Sequence, residues 1–164
     1  RNNKGETALM YASKYGHSEV VEYLINQGAN VDDVSNNGDN SLIFACQNGY
    51  KYVAKHLIRN NCQINSKGNN GKTALMHACE NGKMNIVELL VINNVNINKR
   101  DLKGKTALMY ACEYNQIKIV EYLIEHHADI NKKDNNNQSA LMYACQGDYK
   151  EIIKCLVKND INVN

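Results

Sequence analysis

The stretch GKTALMYACEYN, residues 104–115, sets a cysteine among tyrosines and acids, and the role of Cys112 as nucleophile, metal ligand or packing decides how the chain is read. The stretch is not unique. GETALMYAS begins at Gly5, GDNSLIFAC at Gly38, GKTALMHAC at Gly71 and NQSALMYAC at Asn137, so that with Gly104 each start lies 33 residues after the one before. A fixed period of this length is the signature of a stacked repeat architecture, in which each unit buries its apolar face only against its neighbours.

In register, Leu9, Leu42, Leu75, Leu108 and Leu141 form one column, and Ala12, Ala45, Ala78, Ala111 and Ala144 another. Within a unit, Thr106 offers a side-chain oxygen to cap a helix whose first turn is Ala107, Leu108 and Met109. That helix fades at Tyr114 and Asn115. A second, spanning about 118–125, puts Ile119, Val120, Leu123 and Ile124 on one arc and Lys118, Glu121 and Glu125 on the other. Gly28, Asn61 and Asn94 stand where the second helix must stop, and these residue types tolerate a left-handed cap. The steps Asn37-Gly38 and Asn70-Gly71 read as tight turns.

A Thr-x-Leu-x-x-Ala column, two helices and a turn-rich loop in every period resemble the ankyrin repeat, over essentially the whole chain. The endings GANVDD at Gly28 and HADINKKD at His127 are similar to that family too. The resemblance implies an all-α ankyrin solenoid of helix-turn-helix units joined by hairpin-like loops. It implies one domain, 1–164, with repeats at about 2–34, 35–67, 68–100, 101–133 and 134–164. The chain opens on Arg1 instead of methionine, which predicts a piece of a longer protein. Where the family usually has Thr-Pro-Leu-His, this chain has Thr-Ala-Leu-Met three times; methionine in place of that histidine predicts apolar filling between repeats.

Cys46, Cys79, Cys112 and Cys145 share one column, and the first unit puts Ser13 there. With Leu108 at 0° and about 100° per residue, Ala111 falls near 300° and Cys112 near 40°, so all three face inward. The column therefore predicts four buried packing cysteines. Helices packed about 8–10 Å apart hold equivalent Cα atoms beyond disulfide reach. No C-x-x-C or H-E-x-x-H spacing offers a zinc site, and no Walker or G-x-G-x-x-G loop offers a phosphate cradle. His17, His56, His77, His126 and His127 are scattered over different columns, which gives no catalytic dyad. No enzyme, cofactor or metal is expected.

A hydrophobic fraction of 43% with 22% charged residues describes a folded domain, and a net charge of +2 compels neither a nucleic-acid nor a membrane partner. No run of 18 apolar residues crosses a membrane and no signal core opens the chain, so a reducing cytoplasmic or nuclear setting is expected. What remains for function is surface. The wheel turns Tyr110, Glu113 and Tyr114 away from the core, with Tyr11, Lys14 and Tyr15, Phe44, His77 and Glu80, and Tyr143 as their equivalents. In the ankyrin family this concave face and the hairpin loops bind partners. Lys67, Lys72, Lys99, Arg100, Lys103, Lys105, Lys132 and Lys133 add a basic rim in the loops.

The leading expectation is a non-catalytic protein-protein interaction module that takes another protein or a peptide segment, with Tyr110 and Tyr114 as outward anchors. The alternatives are polyanion or nucleic-acid binding through the basic loops, and a regulatory domain attached to an enzyme or membrane protein. A methyl-lysine cage ranks last, because the tyrosines repeat along a line and do not converge on a point.

Overall fold

Five helix pairs follow the period. In the computed structural model, which describes residues 1–159, they are α1 (Ala8–Tyr15) with α2 (Ser18–Asn26), α3 (Ser41–Asn48) with α4 (Lys51–Arg59), α5 (Ala74–Glu80) with α6 (Met84–Ile92), α7 (Ala107–Glu113) with α8 (Ile117–Glu125), and α9 (Ala140–Gln146) with α10 (Lys150–Lys158). Residues 160–164, the end of the expected fifth repeat, lie outside the described residues. The first helices of the pairs pack on one another in sequence order, and the second helices form a parallel row behind them. The architecture is an all-α repeat solenoid.

Each first helix starts where a capping oxygen stands. Thr7, Thr73 and Thr106 accept from the backbone N–H three residues on, at 3.3, 3.4 and 3.4 Å. Asn40 and Ser139 do the same in the second and fifth units, at 2.9 and 3.4 Å. Methionine does more than fill space. The sulfurs of Met10, Met76 and Met109 each accept from the backbone N–H of the capping threonine at 3.4 Å, which closes a capping box with a thioether where a glutamate or glutamine is usual.

Left-handed residues end the second helices, as expected for Gly28, Asn61 and Asn94, with φ of 85°, 59° and 59°; His127, at φ 65°, takes the same role in the fourth unit without having been singled out. The hairpins that follow carry single antiparallel bridges, Val34 to Asn40, Lys67 to Thr73 and Lys133 to Ser139. Neighbouring hairpins are laced together. The N–H groups of Asn36, Leu102 and Asn135 donate to the carbonyls of Lys4, Asn70 and Lys103 at 2.9, 3.0 and 2.9 Å. Gly71, at φ 74°, lies under this lacing; a Cβ there would meet the Leu102 nitrogen at 2.9 Å.

The leucine and alanine columns are buried through the first four units, joined by Val53, Ile86, Ile119 and Ile152 from the second helices. Cys46, Cys79 and Cys112 are fully buried in the same core. Cys145 is exposed, against the expectation for its column. A cysteine at this position is covered by the following unit, and nothing in the described chain follows α9 and α10 in the stack.

Candidate partner-binding face

The aromatic column on the first helices is mostly not outward. Tyr110 is only 4% exposed, and Phe44, His77 and Tyr143 are buried as well. The Tyr110 hydroxyl donates to Asp101 Oδ2 at 2.7 Å, and the Tyr143 hydroxyl to Asp134 Oδ2 at 2.6 Å. Each aspartate lies in the hairpin that leads into its own helix and also accepts two backbone N–H groups: Asp101 those of Lys103 and Lys105, Asp134 those of Asn136 and Gln138. The tyrosine thus ties helix to hairpin. Burial, the bond to the aspartate and nearby carboxylates push both phenols far above their ordinary range. Burial alone would raise the Asp134 carboxyl, but the bonds from Tyr143 and the backbone outweigh it and hold the group low.

Lys105 also departs from the expected basic rim, since it is buried. Its Nζ lies 4.6 Å from the Tyr110 ring centre and 4.2 Å from that of Tyr143, and it is ion-paired with Glu113. Lys72 Nζ lies 4.4 Å from the Tyr110 ring centre, with both oxygens of Glu80 at 2.9 Å. Two ring faces and a carboxylate replace the water that a buried ammonium loses. In the first unit the signs are reversed. Lys14 pairs with Glu6 at 3.3 Å and reaches the Phe44 ring at 5.3 Å. Lysine and glutamate eight residues apart therefore form one strut in both polarities.

The tie from tyrosine to aspartate joins helix to hairpin in the fourth and fifth units, and the lysine–glutamate strut recurs in the first, third and fourth. A family profile described as Ankyrin repeats (3 copies) matches residues 1–68 and 51–134, and one described as Ankyrin repeat matches 136–164. The chain belongs to the ankyrin repeat family. Comparison with curated proteins returns no match. Ankyrin repeats are generally protein-protein interaction modules and typically non-catalytic.

The ankyrin stack leaves a shorter set of exposed side chains than the wheel predicts. Tyr11, Tyr15 and Tyr114 are exposed, Tyr114 by 45%. The Tyr11 and Tyr15 rings are tilted together at 5.2 Å, with His17 stacked on Tyr15 at 6.3 Å. Partial burial and the carboxylates of Glu80 and Glu113 raise the Tyr114 phenol. At the hairpin tip, Leu102 is 71% exposed between exposed Arg100 and Lys103, a residue that periodicity did not single out. The only signal for it was an apolar residue in a column otherwise filled by asparagine: Asn3, Asn36, Asn69 and Asn135. Lys99 and Arg100 are partly committed to the stack, donating to the carbonyls of Asn65 at 2.8 Å and Lys133 at 3.1 Å.

His77 is the outlier of the aromatic column. The hairpin position that carries aspartate in the fourth and fifth units is Gly68 in this one, and neither imidazole nitrogen has a hydrogen-bond partner among the described residues. Nδ1 lies 3.6 Å from Glu80 Oε2, too far for a hydrogen bond. Burial, with Lys72 beside it, lowers the His77 pKa below its ordinary 6.5, although Glu80 and Asp39 pull the other way. A depressed folded value makes neutral imidazole the folded form. Its contribution to stability is complete above the unfolded value and drains away as pH falls through the folded one. Denaturant unfolding of wild type should thus weaken between neutral pH and pH ~5, and His77→Phe, the residue type of the second unit, should remove His77's share of that slope. Identical pH slopes for the two proteins would contradict the assignment.

Proposed function

We propose that residues 1–164 act as one non-catalytic binding module, which holds a protein or peptide segment against the concave first-helix face and the hairpin tips. The observation that carries this reading is the pairing of an exposed aromatic with an exposed aliphatic in one unit: Tyr114 at the end of α7 and Leu102 on the hairpin that leads into it. Large apolar side chains held in water by a rigid frame offer contact area with few rotors left to freeze. Glu80 and Glu113 border Tyr114 but are matched by Lys72 and Lys105, so the centre of the face is nearly neutral. That balance favours a protein partner over a polyanion, because two of the eight basic loop residues are spent inside the stack. Six free cysteines suit a reducing compartment, cytoplasmic or nuclear, and that setting is part of the proposal.

The test is a partner captured with the 164-residue chain as bait, followed by affinity measurements on variants. Tyr114→Ala with Leu102→Ala should weaken binding by about 2 kcal/mol or more, in the range of interface hot spots. Stability should stay within about 0.5 kcal/mol of wild type, as is usual for surface positions. Normal binding by this double variant would move the interface elsewhere. Loss of binding that tracks salt steeply and extends to any polyanion would favour the basic loops instead.

A further inference from the structure

The four junctions between units are built on the same leucine, alanine and aliphatic columns, so they differ chiefly in the polar groups that cross them. The first, third and fourth are tied in two ways. A hairpin N–H, that of Asn36, Leu102 or Asn135, donates to a carbonyl of the preceding hairpin. A lysine also reaches an aromatic ring of the following unit: Lys14 reaches Phe44, Lys72 reaches Tyr110 and Lys105 reaches Tyr143. The second junction, between α3 and α5, has neither tie among the described residues.

Its strut position carries Asp39, and a carboxylate gains nothing from the negative face of a ring. Asp39 Oδ1 accepts instead from the N–H of Asn69 at 2.9 Å, the donor whose equivalents lace the other hairpins. A Cβ on Gly68 would collide with that oxygen, so the third hairpin has glycine where Asp101 and Asp134 hold the tyrosines of the later units. His77 is thereby left buried with neither nitrogen bonded among the described residues. Lys72, in its own hairpin, opposes a charge on the imidazole, whereas Glu80 on α5 and Asp39 across the junction favour one. Both acids are already engaged, Glu80 by Lys72 and Asp39 by Asn69. The other elements around α5 add little. α3 carries no charged side chain, and the one on α6 is Glu88, in the rear row. α7 brings Tyr110 and Glu113, bonded to Asp101 and Lys105, and Tyr114 follows it beside Glu80. Burial and Lys72 prevail, so the imidazole takes up a proton more readily once an opening returns it to water.

We propose that the stack opens between its second and third units, and that protonation of His77 drives the opening. The stability of a repeat array sums over its units and their junctions, so the junction with the weakest ties gives way first. The halves that separate carry Tyr11 and Tyr15 on one side and Tyr114 on the other. The hinge rests on the ties across the junctions and does not depend on the partner-binding reading.

The cysteine column reports the junctions one by one, because each buried cysteine is covered by the following unit: Cys46 by the third and Cys79 by the fourth. The test applies dithiodipyridine, a disulfide reagent that also works in weak acid, to the whole chain and reads the rates by peptide mass spectrometry. The ratio of Cys46 to Cys79 within one sample cancels the effect of pH on reagent and thiolate. At neutral pH the ratio should be about ten or more. It should rise as pH falls below 6.5, the ordinary histidine value, by at most about tenfold per pH unit for a single proton. His77→Phe should keep the ratio above one and remove its change with pH. Asp39→Lys with Gln47→Glu, Gly68→Asp and His77→Tyr transplants the ties of the third junction and should bring the ratio to about one. A wild-type ratio of one or less overturns the hinge, as does a transplant with wild-type circular dichroism and an unchanged ratio. A wild-type ratio that is flat with pH, or a His77→Phe ratio that changes as the wild-type ratio does, overturns the role of the proton.

Discussion

Replacing Tyr110 by alanine is expected to destabilise the chain by about 4 kcal/mol, the usual cost of deleting a buried aromatic side chain. For a chain of this size the melting temperature should then fall by roughly 10 °C. The loss has three parts. The ring leaves a void between two first helices, Lys72 and Lys105 each lose an aromatic face, and Asp101 loses its hydroxyl donor. Tyr110→Phe separates them, because it keeps the ring and removes only the bond to the carboxylate; it should cost about 1.5–3 kcal/mol, the scale of a hydrogen bond to a charged group. Adding Asp101→Ser to Tyr110→Phe reproduces the Ser35 and Phe44 pair of the second unit and should recover part of that loss. Thermal or urea unfolding of the four proteins checks the order. A Tyr110→Ala chain as stable as wild type would return the ring to the surface.

The second large effect is chemical. In dilute protein, a thiol reagent should modify Cys145 first, Cys155 more slowly, and Cys46, Cys79 and Cys112 only as fast as the stack opens. Burial drives these last three thiols far above their ordinary range, so neither access nor thiolate is available in the folded state. Cys62 is pushed up to about 12 by burial and by Asp32 and should join the slow group. Reaction through openings that cost several kcal/mol is slower by a factor of about ten for every 1.4 kcal/mol, so the gap between Cys145 and the buried three should exceed about a thousandfold. Mass spectrometry of peptides sampled over time reads this directly. Rapid modification of all four would undo the packing assignment, and a slow Cys145 in monomeric protein would mean its face is covered.

Periodicity alone carried most of the fold. Five copies of one column pattern specify two helices and a hairpin per unit, because a small capping side chain, an arc of aliphatics and a left-handed stop recur at fixed offsets and each acts within a few residues of itself. The interior placement of Cys46, Cys79 and Cys112 was legible for the same reason. The direction of Tyr110 was not. A helical wheel refers each side chain to its own helix axis, whereas the space above Tyr110 is filled by Lys72 from the preceding unit and by Asp101 in the approaching hairpin, 38 residues and 9 residues away in sequence. The coupling was nonetheless written in the chain. Tyrosine stands nine residues after Asp101 and Asp134, phenylalanine nine after Ser35 and histidine nine after Gly68. Lysine and glutamate eight apart mark the struts in the same way. Tertiary structure alone decided which of these residues meet water. Burial in a stack belongs to the junction between two units, so identical residues such as Met109 and Met142, or Cys112 and Cys145, are interior or exposed according to whether a neighbour lies beyond them.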